Sequence, residues 1–131
     1  MYKVEKINDK VIDLASKLSK IAWDNSRPQF GSLESFLRVV SNPELIKRID
    51  VTVDGFGTWG ITINFNILNN HDFRECIYFC VGHDGATAIN DNHCVVSIIK
   101  GNDFDKFVKL FDELLMELIG VNLSSFSREG R

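Results

Sequence analysis

The stretch VTVDGFGTWGITINF, residues 51–65, decides how this chain is read. Gly55, Gly57 and Gly60 spell G-x-G-x-x-G directly after a strand-like run, which is the spacing of a dinucleotide-binding loop. Such a loop must lead from a strand into a helix, because the helix N-terminus receives the pyrophosphate. Here it leads into ITINFNIL, where Ile61, Ile63, Phe65 and Ile67 alternate with Thr62, Asn64 and Asn66. Period two marks a half-buried strand, so the glycines are read as supplying positive φ in a wide hairpin turn that carries Phe56 and Trp59. A kinase-type glycine loop also lies between strands, but its V-A-I-K, H-R-D and D-F-G companions are missing and 131 residues are too few for that fold.

Working outward, the same alternation precedes the turn, where Ile49, Val51 and Val53 oppose Asp50, Thr52 and Asp54. Downstream, FRECIYFCV (73–81) is apolar on both faces and reads as a central strand, and HCVVSIIK (93–100) reads as the last strand. GHDGATAINDN, residues 82–92, reads as a long loop between them.

Helical spacing brackets the strands. Val11, Leu14, Ala15, Leu18, Ile21 and Ala22 share a face over residues 8–24, with Asn8 or Asp9 as N-cap and Asp13 and Lys17 four apart on the wet side. A short helix is expected over LESFLRVV (33–40) after Ser32, and about two turns over PELIKR (43–48) after Asn42. The strongest helix is DFDKFVKLFDELLMELI, 103–119, stopped by Gly120. These elements predict one α+β domain over 1–131: a four-stranded antiparallel meander covered by the N-terminal helices and the long C-terminal helix, with 121–131 as a frayed tail.

Composition bounds the function. The chain is 44% hydrophobic and 25% charged, as a soluble globular domain is, and MYKVEKINDK carries charges where a signal peptide needs an apolar run. No stretch approaches the length of a membrane span, so the expected compartment is the cytoplasm. Cys76, Cys80 and Cys94 are an odd set in apolar, strand-like context, which suits thiols better than a disulfide framework. The net charge is −3, yet residues 49–99 hold one basic against six acidic side chains. An acidic middle argues against nucleic acid as a partner.

No catalytic set stands out. Cys76 and Cys80 lie four apart on one face of a strand, about 13 Å by strand rise, and cannot chelate one ion. His83, His93 and Cys94 can approach across the last hairpin, but Cys94 has Val95 and Val96 beside it and reads as a core thiol, also in any Cys94–His83–Asp84 arrangement. No cofactor, metal or catalytic residue is therefore assigned, and the chain is read as a binding protein and not an enzyme.

A place remains where motifs fail. In a four-strand meander the first and third connections share one end of the sheet, which would bring Asp54, Phe56 and Trp59 beside His83, Asp84, Asn90, Asp91 and Asn92. An exposed aromatic among acids suits a basic protein partner, because the ring provides apolar area and the carboxylates provide steering. Phe56 and Trp59 folding back over the core is equally compatible with the sequence, and so is either placement of Trp23.

With its α+β layout and the acidic loops around VDGFGTWG and GHDGATAINDNH, the chain resembles the small bacterial immunity proteins that are paired with secreted or contact-dependent toxins. The resemblance implies tight binding to a cognate toxin domain, often a nuclease. The partner-binding set is then Asp54, Phe56, Trp59, His83, Asp84 and Asp91. The alternative is a cone-shaped α+β protein of small-molecule-binding or isomerase type, whose pocket would be lined by Tyr78, Asn64 and His83. The wide apolar face of the last helix leaves a homodimer open as well.

Overall fold

The structure, a computed structural model, describes residues 2–25, 42–65, 76–82, 85–90 and 96–121. It is an α+β fold in which one antiparallel sheet of six strands runs in sequence order, β1 (Tyr2–Val4), β2 (Ile46–Val53), β3 (Trp59–Phe65), β4 (Cys76–Gly82), β5 (Gly85–Asn90) and β6 (Val96–Ile99). Helices α1 (Asp9–Asp24) and α2 (Asn102–Ile119) lie together on one face. Among the described residues no helix is long and apolar enough to cross a membrane.

The signals for the first and last helices held. Asn8 caps α1 by accepting from the Val11 N–H at 2.9 Å, which satisfies one of the orphan donors of the first turn. Gly120 ends α2 in the left-handed region at φ 74°, with its N–H bonded to the Met116 carbonyl. The helices run antiparallel: Asn25 at the end of α1 donates to Asp103 at the start of α2 at 3.0 Å, and Lys10 pairs with Glu117 at 3.1 Å. Asp13 and Lys17 form their exposed pair at 3.0 Å.

Three expectations are corrected. The meander has six strands, not four. GATAIN is strand β5, pairing from Gly85 opposite Gly82 to Asn90 opposite Ile77, where a loop was expected. Its Ala86 is buried on the helix side, and α2 approaches the sheet closely at β5 and β6. A small side chain has weak strand propensity, but it gives the helix room. Tyr2–Val4 adds a three-residue edge strand too short to show alternation. The helix expected over 43–48 is a single 3-10 turn, Pro43–Leu45, capped by Asn42, whose side chain accepts from Glu44. Strand β2 follows at once, and its register shifts between Ile46 and Arg48. That bulge lets Ile46 and Ile49 both face the core although three residues apart, a spacing that imitates a helix. The short helix expected over 33–40 and the tail after Val121 lie outside the described residues.

The core fills the space between sheet and helices. Ile49, Val51, Ile61, Ile63, Ile77 and Phe79 meet Leu14, Leu18, Phe107, Phe111, Leu114 and Leu115. Phe107 ties the layers together, edge-on to Phe79 at 6.0 Å and stacked on Phe111 at 6.4 Å. Each such side chain contributes roughly 1.5–3 kcal/mol by leaving water. The buried residues of α2 account for the apolar breadth of that helix within the fold, and Met116 is its one exposed large hydrophobic among the described residues.

Candidate functional site

The β2–β3 turn is built around one carboxylate. Asp54 Oδ1 accepts from the Phe56 N–H at 2.8 Å and from the Thr58 N–H at 3.0 Å, while the backbone closes through Gly57 N–H to the Asp54 carbonyl and Asp54 N–H to the Thr58 carbonyl. Gly57 stands at φ 82°, the left-handed position that follows the turn proper in a three-residue hairpin loop. Of the three motif glycines only this one needs positive φ. Gly60 is required for a different reason. A Cβ there would lie 2.5 Å from Tyr78 Cε1 and 2.9 Å from Thr52 Oγ1, so the tyrosine ring lies across the glycine from the neighbouring strand. Gly55 has open space around it. The motif is a hairpin device and leads into strand β3, as its period required.

The two aromatics of this motif part company. Phe56 is 82% exposed at the tip of the turn, whereas Trp59 is 1% exposed and belongs to the core, opposite Val53 and Val81. Trp59 is therefore removed from the partner-binding set: strand alternation turns it inward to where the helices cover the sheet. Trp23 is half-buried and packs against the core. Near Phe56, Val53 and Tyr2 are also exposed, the latter opposite Val51 on β1 and so on the same face as Val53, close to it. Three of the exposed large hydrophobics, Tyr2, Val53 and Phe56, thus lie at or near the end of β2 from which the turn leaves.

The fifth strand changes the grouping of the acidic residues. Gly82 and Gly85, which flank His83 and Asp84, are paired at the end of the sheet that carries the 54–58 turn, and a Cβ on Gly82 would lie 2.5 Å from Thr58 Oγ1. Strand β5 then runs away from that end and finishes at Asn90, beside Ile77. The premise that one long loop gathers all the acids at one end is corrected accordingly. His83, Asp84, Asp91 and Asn92 lie outside the described residues.

The face opposite the helices carries the polar side chains of the same strands. Asp50, only 9% exposed, accepts from Arg48 Nε at 3.0 and 3.3 Å and from Asn64 Nδ2 at 3.0 Å. Tyr78 shares this face, and its hydroxyl is pushed from the usual 10.0 up to about 12, first by burial, then by the Cys80 sulfur with which it hydrogen-bonds and by the Asp54 carboxylate. Cys76 and Cys80 flank it, half-buried and not disulfide-bonded. Of the residues named for a pocket, Asn64 is engaged with Asp50 and Tyr78 with the Gly60 notch, and His83 lies outside the described residues. Among the described residues no group of three His, Cys, Asp or Glu side chains is placed to hold a metal ion.

Sequence reading missed Arg48 because PELIKR looked helical, and it treated Asp50 as the wet side of a strand. The alternation of Arg48, Asp50 and Thr52 was the available signal. No protein family model, no curated protein and no solved structure matches the chain.

Proposed function

We propose that this chain is a cytoplasmic inhibitor of the immunity-protein kind, which neutralises a basic toxin domain by docking the β2–β3 turn on it. The observation that carries the reading is Phe56, 82% exposed on a turn held by four hydrogen bonds. An aromatic ring presented by a preorganised turn loses little entropy on binding and is the kind of side chain that dominates interface energies. Val53 and Tyr2 extend the apolar area, and Asp54 supplies a charge that steers a cationic partner. Asp54 Oδ1 is occupied by the turn, whereas no hydrogen bond to Oδ2 is made among the described residues, so that oxygen is available to an Arg or Lys.

The test is a pull-down against a panel of basic toxin domains, with calorimetry of any one-to-one complex at two salt concentrations. Phe56→Ala should weaken the complex by about thirtyfold or more, the loss of a hot-spot side chain. Asp54→Asn keeps the turn acceptor but removes the charge, and should flatten the salt dependence. A complex that forms equally well with Phe56→Ala overturns the reading. Recovery of a small ligand with the purified chain, and of no protein, moves it to the pocket-bearing alternative.

A further inference from the structure

The Arg48 cluster is built more elaborately than a solvated strand face requires. A carboxylate that is nine-tenths buried must be compensated, and Asp50 is, by the Nε of Arg48 and the amide of Asn64. Yet a buried Asp–Arg pair is a poor way to gain stability, since well-packed apolar residues of similar size do as well or better. The unusual feature is what the pairing leaves over. Arg48 spends Nε on Asp50, and its terminal nitrogens, which carry four of its five N–H donors, make no hydrogen bond among the described residues. The side chain is only 32% exposed, so those donors are partly desolvated and held in a set orientation by the carboxylate behind them.

Two further features converge on the same point. Lys3 on β1 is the register partner of Asp50, and therefore shares its face with the side chains about 5 Å apart at Cβ. It closes no ion pair to Asp50 or to any other described residue, and it brings the local charge of Lys3, Arg48 and Asp50 to one net positive. The register shift between Ile46 and Arg48 sits immediately before the arginine, and bulges of this kind re-aim side chains at binding sites. Glu5, the next carboxylate along the chain from β1, makes no ion pair with either cation.

We propose that Arg48, positioned by Asp50 and Asn64 and assisted by Lys3, is a binding site for a small oxyanion, a carboxylate or phosphate group, on the face of the sheet opposite the helices. The free edge of a guanidinium matches two oxygens of either group, and a pinned fork loses less entropy in closing on them than a mobile lysine does. The site is separate from the Phe56 turn. Arg48 on β2 and Asp54, one residue past its end, are six positions apart, about 20 Å by strand rise, and neither proposal depends on the other.

The experiment follows the Arg48 Nε–H and Asn64 side-chain amide signals by NMR while the full chain is titrated with inorganic phosphate and, separately, with sodium acetate, each against sodium chloride at matched ionic strength. A saturable shift in the millimolar range is expected with one or both anions and not with chloride, and the two arms tell phosphate from carboxylate preference. Arg48→Lys, which keeps the charge and loses the fork, should weaken binding by about tenfold. Lys3→Ala, an exposed change that leaves the fold alone, should weaken it by about threefold. Asp54→Asn should change nothing. Shifts that only track ionic strength, or that persist unaltered in both Arg48→Lys and Lys3→Ala, overturn the proposal.

Discussion

Strands β2, β3 and β4 present two unlike faces. Toward the helices they turn Ile49, Val51, Ile61, Ile63, Ile77 and Phe79, and away from them Arg48, Asp50, Thr62, Asn64, Tyr78 and Cys80. The inner face is held by volume: many interchangeable contacts, non-directional, each small. The outer face is held by individual fits, such as one carboxylate with its donors and one ring laid across one glycine. Inner-face changes should therefore scale with the size of the side chain removed, while outer-face changes should depend on the partner.

The largest effect is expected on the inner side. Phe107→Ala removes the ring that joins α2 to Phe79 and should cost about 3–5 kcal/mol in urea unfolding. A loss below about 1 kcal/mol would mean that the layers are not joined there.

Gly60→Ala should cost about 1–3 kcal/mol, because the new methyl would meet the Tyr78 ring and the Thr52 hydroxyl at 2.5 to 2.9 Å and the half-buried ring must move aside. In a Tyr78→Ala background most of that cost should vanish. A double-mutant cycle with no coupling would show that the ring does not fill the notch.

The pH dependence of Tyr78 comes next. Its folded value is raised, so the unfolded chain gives up this proton first, near 10.0, and the folded chain only near 12. The stability contributed by the neutral hydroxyl is complete below pH 10 and is lost as the pH rises from there toward 12. Ultraviolet titration should show one late phenolate, absent in Tyr78→Phe. If both proteins titrate alike, the hydroxyl is not buried beside Cys80 and Asp54.

The smallest effect belongs to neither face. Phe56→Ala should change stability by less than about 0.5 kcal/mol, since the ring touches little of its own chain. A stability loss comparable to that of Phe107→Ala would make Phe56 part of the core and withdraw it as an anchor.

Much of the architecture was readable from local pattern. The Asn8 cap, the Gly120 stop and the strict alternation after Gly60 each act within a few residues, and each is found where the pattern put it. Where reading failed, local cues conflicted with long-range ones. GATAIN opens with a glycine and turns the small Ala86 to the side where a helix passes close to it, and Ile46 and Ile49 keep a helical spacing because a bulge absorbs the odd residue. Of the candidate site, Asp54 and Phe56 were visible as turn chemistry, while the Arg48–Asp50–Asn64 cluster joins residues from two strands and becomes a unit only through their register.

By itself, then, the sequence determined that the glycine motif makes a hairpin and not a phosphate loop, because the period of the residues that follow is a local property. It determined helices α1 and α2 and the α+β class for the same reason. Only the tertiary structure decided that Trp59 is core and Phe56 is surface, though only two residues separate them. Burial depends on what packs against a face, and here the helices from both ends of the described chain cover one side of the sheet and leave the turn beyond it in water.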